Sequence, residues 1–549
     1  MLNFKLLISL YFHTIRYLKP RQIYYRIWFK IWKPHIQKSK APNIRKFKKK
    51  FNLPIKKKIS LLDEDKFYFL NKSFYLSNVG WDETDDNISK LWRYNQHYFD
   101  DLNAFDSFKR KKWHDKLIKN WIYQNKLARG VGWESYPTSL RIVNWIKWHF
   151  SGNKLSESCI YSLALQARWL SKRIEWHILG NHLFSNAKAL IFLGVFFSSK
   201  ESDNWLKKGL KIINEELDEQ VLDDGGNFER SPMYHAIFLE DLLDLINISL
   251  YSSNIIAKND VNKWIKVSAN MLRWSQTMVH PDGEIAFFND ASIGVAPNLN
   301  ELKIYANYLG INYSSSTFDK LTNLSISGYI RYNSNEAVAL IDVAPIGPNY
   351  LVGHAHADTL SFELSLFGQR FFVNSGTSEY KVSSVRQYER STKSHNSVSI
   401  NNENSSEVWR GFRVARRAYP FDLNTSNSEN FVSISCSHDG YKRLTGKPIH
   451  RRTWQFYKSS LIINDMINGL FKNAFAYFHL HPQISIKKNR INKIHLKMPN
   501  DQEIILNIKI GKYIIKESYY SAEFGKRIET KCIKIELDRK KGSRIEISW

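Results

Sequence analysis

The sequence predicts a multi-domain α plus β protein, in which an N-terminal (α/α) toroid precedes a C-terminal antiparallel β-sandwich. Apolar residues recur every three or four positions from about residue 91 to 310, and every second position from about residue 326 onward. The 549 residues suffice for two or three domains. We therefore expect a basic, partly helical N-terminal segment at 1–90, the toroid at 91–315 and the sandwich at 326–549.

The N-terminal segment is basic, and prolines interrupt any long helix in it, at Pro20, Pro34, Pro42 and Pro54. Its first apolar stretch is too short to span a bilayer, and no small-residue cleavage site follows, so we expect no cleavable signal peptide. The aromatic, basic stretch IYYRIWFKIWKP (23–34) has the pattern of an amphipathic helix. Two interpretations stay open: peripheral contact with an anionic membrane surface, or packing on the protein body.

The helical half consists of amphipathic segments in series, joined by short turns that contain Gly, Asn, Asp or Pro. Seven or more such segments favour paired helices in a toroid over a single bundle. They include KWHDKLIKNWIYQ, TSLRIVNWIKWHF, ESCIYSLALQARWLSKRI, NHLFSNAKALIFLGVFF, DNWLKKGLKIINEEL, YHAIFLEDLLDLINISLY and DVNKWIKVSANMLRWSQTM.

The second half alternates apolar and polar residues in short runs bounded by turn residues, which is typical of antiparallel strands. Such runs in series predict a β-sandwich. They include YIRYNSNEAVALIDV, DTLSFELSLF, RFFVNSG, NSVSINN, TWQFYKSSLIINDMI, NAFAYFHLHP, KIHLKMP, EIILNIKI and CIKIELDR.

Composition narrows the class of partner. The net charge of +28 favours polyanions: nucleic acid, anionic lipid or acidic polysaccharide. Zinc-finger spacing, RNP-like motifs and heptads are lacking, so nucleic acid is not an expected partner. The three cysteines, Cys159, Cys436 and Cys532, lie far apart and form neither a CxxC motif nor a disulfide framework. Aromatic residues make up 14% of the chain, which suits either sugar-binding clefts or cores.

The stretch GHAHADTLSFELSLFGQRFFVNSG (353–376) is the strongest chemical signal in the chain. If it is extended, His354 and His356 project from the same face, because positions i and i+2 of a strand do so. Two imidazoles on one face form a metal site, a proton-transfer site, or one of each.

Three other segments carry more polar chemistry than packing needs. In GNHLFSNAKAL (180–190), Asn181 and His182 open a helix, where they either cap it or serve a site. In GGNFERSPMYHAIFLEDL (225–242), Tyr234 stands at a helix start, a position that is more commonly core. In RSTKSHNSVSINN (390–402), His395 lies in a polar turn, where a lone histidine is usually structural.

Taken together, eight segments resemble the heparinase II/III-like family of polysaccharide lyases, in its order and over roughly residues 90–530. The segments are WRYNQHYFDDL, GWESYPTSLRIVNWIKW, GNHLFSNAKAL, NFERSPMYH, PDGEIAFFNDAS, GHAHADTLSFEL, VNSGTSEY and SHNSVSI. The resemblance implies a toroid followed by a β-sandwich. It also implies cleavage of a uronic-acid-containing polysaccharide by β-elimination.

The resemblance assigns roles to individual residues. Asn181 would neutralise the substrate carboxylate, with His182 beside it. Tyr234 would act as the acid and also as a base, and His354 as a partner base or second neutraliser. An ordinary tyrosine has a pKa of about 10, and we expect nearby cations to lower it. The arginines expected to grip the anionic chain are Arg93, Arg141 and Arg413.

The resemblance also implies one divalent metal, zinc or calcium, in the sandwich, and no organic cofactor. Its ligands here would be His356, Asn374 and His395. The family commonly has Asp at the position of Asn374, and a neutral amide is a weaker ligand than a carboxylate. Ser185 is a second departure, because some relatives carry an acid there.

Other functions stay open. The main alternative is a non-catalytic glycan-binding or assembly protein that keeps the lyase fold. A glycoside hydrolase would need two facing carboxylates, for which Glu229 and Asp290 are the candidates. The resemblance places the chain in a bacterium, with capsule or O-antigen material as the expected setting. Lack of a clear signal peptide favours a cytoplasmic or membrane-peripheral location, with the envelope or periplasm as the alternative. No oligomeric state follows from the sequence.

Overall fold

The structure is a computed structural model that describes residues 4–47, 49, 51–52, 54–83, 85, 87–314 and 318–549. Long helices end at Tyr308, and the strands of the C-terminal sheets begin at Leu321. The predicted fold class is confirmed: a helical toroid precedes antiparallel sheets. Within the described residues, no helix combines the length and apolarity needed to cross a bilayer.

The helices begin and end close to the predicted amphipathic segments. In chain order they are α1 (Phe4–Ile15), α2 (Pro20–Ile31), α3 (Leu76–Val79), α4 (Lys90–Tyr98), α5 (Lys111–Gln124), α6 (Ser135–Phe150), α7 (Glu157–Leu170), α8 (Gly180–Phe196), α9 (Lys200–Gln220), α10 (Pro232–Ser252), α11 (Lys258–Thr277), α12 (Leu299–Tyr308) and, within the sandwich, α13 (Ser384–Glu389). Short 3-10 helices occupy Asp100–Asn103, Ser107–Arg110, Val131–Trp133 and Thr392–Ser394.

The toroid has an inner and an outer layer. Helices α6, α8 and α10 are buried along most of their length, whereas α5, α7, α9 and α11 bury one face each. The difference in burial between the two layers follows from composition. Helix α8 is apolar nearly all round, whereas α9 has one apolar and one charged face. The start of α10 is well defined: Ser231 caps it by accepting the Tyr234 N–H (3.2 Å), and Pro232 occupies its first turn.

Short strands also occur in the helical half: β1 (Asn43–Ile44), β2 (Leu61–Asp63), β3 (Lys66–Phe69), β4 (Lys72–Tyr75) and β5 (Phe197–Ser198). The sandwich strands are β6 (Leu321–Leu324), β7 (Tyr329–Asn333), β8 (Ala337–Asp342), β9 (Phe362–Leu366), β10 (Gln369–Phe372), β11 (Val398–Ile400), β12 (Val408–Trp409), β13 (Arg413–Val414), β14 (Pro420–Asn427), β15 (Val432–His438), β16 (Ile449–Phe456), β17 (Ser460–Asn468), β18 (Ala474–His479), β19 (Ser485–Arg490), β20 (Lys493–Lys497), β21 (Glu503–Ile510), β22 (Lys512–Tyr520), β23 (Ile528–Glu536) and β24 (Ser543–Ser548).

An eight-stranded sheet forms one layer of the sandwich, in the order β14-β15-β16-β17-β24-β21-β20-β19. The other layer combines a five-stranded sheet, β10-β9-β8-β7-β6, with a four-stranded sheet, β11-β18-β23-β22. An isolated bridge between Phe372 and Leu480 connects these two sheets. Alternate residues of β16 are buried, and Tyr332 stacks on Phe456 across the layers with 4.0 Å between ring centroids.

The segment 353–361 does not form the predicted strand. It is a loop between β8 and β9, and β9 begins only at Phe362. The inference that His354 and His356 project from one strand face is therefore wrong. Their side chains meet for another reason, which is that both bind the same carboxylate.

Candidate active site

Asp290 is the centre of the candidate site. His354 Nδ1 lies 2.9 Å from its Oδ2 atom, His356 Nε2 lies 2.8 Å from its Oδ1 atom, and the buried guanidinium of Arg386 binds both oxygens. Burial alone would raise the pKa of this carboxyl, but the Arg386 charge and the two imidazole hydrogen bonds hold it well below its usual range. Asp290 is therefore a fixed anion that orients its neighbours.

The tautomer of His354 follows from this contact. A carboxylate only accepts hydrogen bonds, so Nδ1 of His354 carries the proton, and Nε2 of the neutral ring carries a lone pair. The side chain is 16% exposed, and Nε2 lies 3.9 Å from Glu229 Oε2. An imidazole oriented by a carboxylate, with its other nitrogen accessible, can accept a proton from a substrate.

The phenol ring of Tyr234 stacks on His354, with 3.9 Å between ring centroids, and its hydroxyl lies 3.0 Å from that of Tyr380. Burial, together with Tyr380 and Asp290, raises the pKa of Tyr234 well above 10. The expectation that cations lower this pKa is wrong, because burial, Tyr380 and Asp290 all raise it, and Arg386 is bound to Asp290. Tyr234 keeps its proton near neutral pH and is suited to donate it.

Asn181 and His182 lie in the first turn of α8, where no side chain caps the helix. The Asn181 side chain lies near the hydroxyl of Tyr136, and the Tyr136 ring lies against that of His182 with 4.3 Å between centroids. His182 Nδ1 lies 3.1 Å from Glu175 Oε1. Both predicted residues are half-buried, and neither side chain caps the helix.

Glu229 lies between the group around His354 and the group formed by Asn181 and His182. Neither of its carboxylate oxygens has a hydrogen-bond partner among the described residues, although the side chain is buried. Burial raises its pKa, and the nearby imidazoles of His354 and His182 partly oppose that shift. A Cβ atom at Gly180, just before Asn181, would come 3.2 Å from Glu229 Oε1. Three of the residues predicted as catalytic, Asn181, His182 and His354, therefore lie around this carboxyl.

Several of these neighbours were not assigned lyase roles from the sequence: Tyr136, Glu229, Asp290, Tyr380 and Arg386. The first four lie in segments that carry the family resemblance, so a signal for them was present. The sequence suggests Glu229 and Asp290 only as the two carboxylates of a hydrolase. Both oxygens of Asp290 are bound by protein groups, so it cannot also face a substrate.

The predicted arginine contacts with substrate are not supported. Arg141 is fully buried, stacks on Trp121 and donates to Gln166 (3.0 Å). Arg93 is buried and donates to the Gly80 and Glu83 carbonyls. A polysaccharide cannot reach either guanidinium, because both are held inside the helical domain.

Arg413 contacts aromatic side chains of α1 and β12. Its guanidinium lies 5.1 Å from the ring centroid of Tyr11 and 4.9 Å from that of Trp409. Ser185 is buried as well, and its hydroxyl donates to Asp241 (3.1 Å). The contacts of both side chains are therefore made with other parts of the protein than His354.

The donor set predicted to hold a metal contains two facing lone pairs. His395 Nδ1 donates to the Ser391 carbonyl (2.8 Å) and His356 Nε2 to Asp290, so the free nitrogens are His395 Nε2 and His356 Nδ1. These two atoms lie 3.1 Å apart. Burial lowers both pKa values to about 4, so neither neutral ring supplies a proton to this contact. Two lone pairs backed by fixed hydrogen bonds fit a shared cation.

A second buried histidine pair shows the contrast. The Gly440 N–H donates to His438 Nδ1 (3.2 Å), so His438 Nε2 carries a proton and donates it to His450 Nδ1 (3.3 Å). His450 Nε2 then donates to Asp465 (2.8 Å). Neutral tautomers satisfy this pair without a cation.

Asn374 fits a metal less well. Its Oδ1 atom accepts the Asn396 N–H (3.0 Å), and its Nδ2 atom donates to the Phe287 carbonyl (3.0 Å). Within the described residues, no group of three or more His, Cys, Asp and Glu side chains is arranged to hold a metal. The two imidazoles are therefore the part of the predicted ligand set that the geometry supports.

A cavity of about 600 Å³ adjoins the His182 side of the site. Its wall includes Glu175, which hydrogen-bonds His182, and the indoles of Trp133 and Trp169. The cations in its lining are Lys33, Arg129 and Arg173. Apolar ring faces beside cations suit a sugar that carries negative charge.

Comparisons with known proteins identify relatives of this chain. Two curated proteins similar to the chain are heparin-sulfate lyases, from Bacteroides stercoris (29% identical; 57% of this chain and 47% of that protein) and Pedobacter heparinus (24%; 61% and 53%). The chain thus spans about half the length of the curated relatives it matches. A crystal structure of heparinase III (17% identical; 85% of this chain and 78% of that one) has a TM-score of 0.69, and heparan sulfate lyase HepC from Pedobacter heparinus (18%; 96% and 87%) has 0.57.

The family comparison covers nearly the whole chain. The heparinase II/III N-terminus model matches residues 16–313, and the heparinase II/III-like C-terminal model matches residues 320–549. Together they include Asn181, Tyr234, His354 and the carboxylate that orients it. The chain therefore belongs to the heparinase II/III family.

Proposed function

We propose that this protein is a polysaccharide lyase that cleaves an acidic, uronic-acid-containing glycan by β-elimination. One observation carries the proposal: a protonated Tyr234 stacks on His354, whose accessible Nε2 is a lone pair. Proton removal and proton donation therefore come from adjacent side chains. The names of the curated relatives, heparin-sulfate lyases, support an acidic substrate.

In the proposed reaction, His354 Nε2 removes the proton on the carbon next to the sugar carboxylate. The electron pair left behind forms a carbon–carbon double bond to the neighbouring ring carbon. The bond between that carbon and the glycosidic oxygen breaks, and its electron pair stays on the oxygen. Tyr234 protonates that oxygen as it leaves. The polymer becomes two chains, one ending in an unsaturated uronate, and no water is consumed.

Two groups lower the barrier in this scheme. The Asn181 amide donates to the sugar carboxylate as negative charge moves onto it, and His182 lies beside it. Glu229 stands 3.9 Å from His354 Nε2, where an anionic carboxylate favours the imidazolium that forms. A buried carboxyl with a raised pKa lowers the stability of the folded protein when it is ionised. Its position beside the proposed base is consistent with a functional reason for keeping it.

The cavity beside His182 is the proposed path of the glycan. Lys33, Arg129 and Arg173 supply positive charge in its lining, and Trp133 and Trp169 supply flat apolar faces. In this proposal these residues, and not Arg93 and Arg141, bind the glycan. Capsule or O-antigen material is the substrate class proposed from the sequence and family.

We further propose that His356 Nδ1 and His395 Nε2 hold one divalent metal ion. Imidazole nitrogens favour zinc over calcium, which binds oxygen ligands. The bound ion would fix the 353–361 loop to the start of β11, and so would stabilise the position of His354. Such an ion would have a structural role, and Tyr234 and His354 would carry out the proposed chemistry.

The test is incubation of the purified chain with a panel of uronate polymers. We expect ultraviolet absorbance from an unsaturated uronate, and product masses that sum to that of the substrate. Product masses that include one added water would indicate a hydrolase instead. Tight binding of a polymer without any cleavage would favour the alternative, a non-catalytic glycan-binding protein that keeps the fold.

A further inference from the structure

Helices α1 and α2 each turn an apolar stripe toward solvent. On α1 the exposed residues Phe4, Ile8, Phe12 and Ile15 recur at four- and three-residue spacing. On α2 the same spacing places six residues on one exposed face: Pro20, Ile23, Tyr24, Ile27, Trp28 and Ile31. Phe4 is 74% and Ile31 75% exposed. Because residues at these spacings share a helix face, each stripe is continuous.

The stripes are not the faces that hold these helices on the body. Helix α1 packs through Leu10, and its Thr14 accepts from Trp409 Nε1 (3.2 Å). Helix α2 packs through the buried Gln22, whose amide donates to the Ile178 and Tyr350 carbonyls. Each helix is therefore already anchored on one side, and the outward stripe is left for another surface.

The charge around the stripes has one sign. Residues 1–62 contain 17 Lys and Arg and no Asp or Glu. Arg16, Arg26, Lys30 and Lys33 are exposed beside the two stripes. Stacked aromatic rings add to the outward face of α2, since Trp28 lies over Tyr24 (6.1 Å between centroids). Apolar stripes edged by cations and aromatic rings match the interface of an anionic bilayer.

We propose that α1 and α2 dock this protein on an anionic lipid surface, with both helices lying in the plane of the membrane. Each has 12 residues, which gives a length of about 18 Å at 1.5 Å per residue and suits lying on a bilayer, not crossing it. A second copy of the chain is the less suitable occupant. It would bring two surfaces of like charge together, whereas acidic lipid headgroups are complementary.

Membrane docking would also affect access to the cavity that contains Glu175. Phe29, on the body-facing side of α2, lines the cavity that also contains Glu175. A membrane-bound α2 therefore brings the cavity close to the lipid surface. Glycan chains held at that surface would then reach the cavity without diffusing from bulk solution.

The test uses the full chain and sedimentation with vesicles, in the absence of any glycan. We expect binding to phosphatidylcholine vesicles that contain about 30% phosphatidylglycerol, and weak binding to pure phosphatidylcholine. Ile27→Gln combined with Ile31→Gln should weaken binding at least 10-fold, and raising the salt concentration should weaken it further. The matched control is Leu470→Gln with Ile491→Gln, two residues of the sandwich half that are 79% and 93% exposed, and it should bind as the wild type does.

Three outcomes would overturn the proposal. The first is no vesicle binding by the wild type, and the second is an equal loss in the Leu470/Ile491 control. The third is a dimer, seen by light scattering, that the Ile27/Ile31 substitutions dissociate while vesicles stay unbound, which would assign the stripes to a second copy. Because no glycan is present, failure of the lyase proposal leaves this result unaffected.

Discussion

The ring of Tyr234 lies against the ring of His354, with 3.9 Å between centroids and 31° between planes. Two residues 120 positions apart in the chain thereby form one proton-transfer pair. The toroid contributes one ring from the first turn of α10, and the sandwich contributes the other from a loop. The proposed site therefore exists only where the two halves of the protein meet.

Tyr234→Phe removes the proposed acid and keeps the ring that stacks on His354. We expect the lyase rate to fall by about 10²- to 10⁴-fold with no change in fold, because the leaving oxygen loses its proton donor. The measurement is the rate of unsaturated product formation together with circular dichroism. Tyr308→Phe, at an exposed tyrosine of the toroid, is the control and should be fully active. A fully active Tyr234→Phe enzyme would exclude this role.

Asp290→Asn tests the carboxylate that orients both histidines. The neutral amide has one accepting oxygen, so it cannot accept hydrogen bonds from both His354 and His356. The proton on Nδ1 of His354 is then no longer held there. The amide also carries no charge, so Arg386 becomes a buried cation without a counter-ion. We expect stability to fall by about 3–5 kcal/mol, and activity to fall as well. Urea unfolding measures the first effect. Asp203→Asn breaks only a solvent-exposed pair with Arg45 and should change stability by about 1 kcal/mol or less.

Glu229→Gln should stabilise the protein while slowing the reaction. Since burial raises the folded-state pKa of Glu229, its favourable contribution to stability is complete below the unfolded pKa and is lost as pH rises through the folded pKa. The neutral amide avoids that loss. The variant should therefore unfold at a higher temperature than the wild type at pH 7–8, with the difference vanishing near pH 4. An unchanged rate would argue against a role in favouring the His354 imidazolium.

His356→Ala tests the proposed metal. Elemental analysis of the wild type should find about one zinc ion per chain, and the variant should have lost it. His450→Ala is the matched control, because its pair is satisfied by neutral tautomers and needs no cation. Metal retained by His356→Ala, or lacking in the wild type, would leave His356 as a hydrogen-bonding residue of the core.

Much of the architecture could be read from periodicity. Each amphipathic segment named in the toroid became a helix, and the alternating runs became strands, since local pattern and burial agree there. The predicted runs do not include strands β6, β12, β13, β14, β15, β19, β22 and β24. Strands β14, β19 and β22 are largely exposed, and they lack the clean alternation that a half-buried strand shows.

The candidate site was less predictable. The prediction that Arg141 grips the anionic substrate is not supported, because Arg141 stacks on Trp121 and donates to Gln166 in the core. His354 and His356 were paired through a strand that does not form. Their real link is Asp290, which lies 64 and 66 positions away in the chain. Sequence spacing cannot report a contact made through a distant third residue.

By itself the sequence determined the order of helices and strands, the family motifs and a basic, acid-free N-terminal segment. These properties are local, because they follow from period, composition and short patterns. Only the tertiary structure decided where the protons are: on Tyr234, on Nδ1 of His354, and on neither nitrogen between His356 and His395. Tautomers and pKa values depend on burial and on partners far along the chain, and folding alone brings those together.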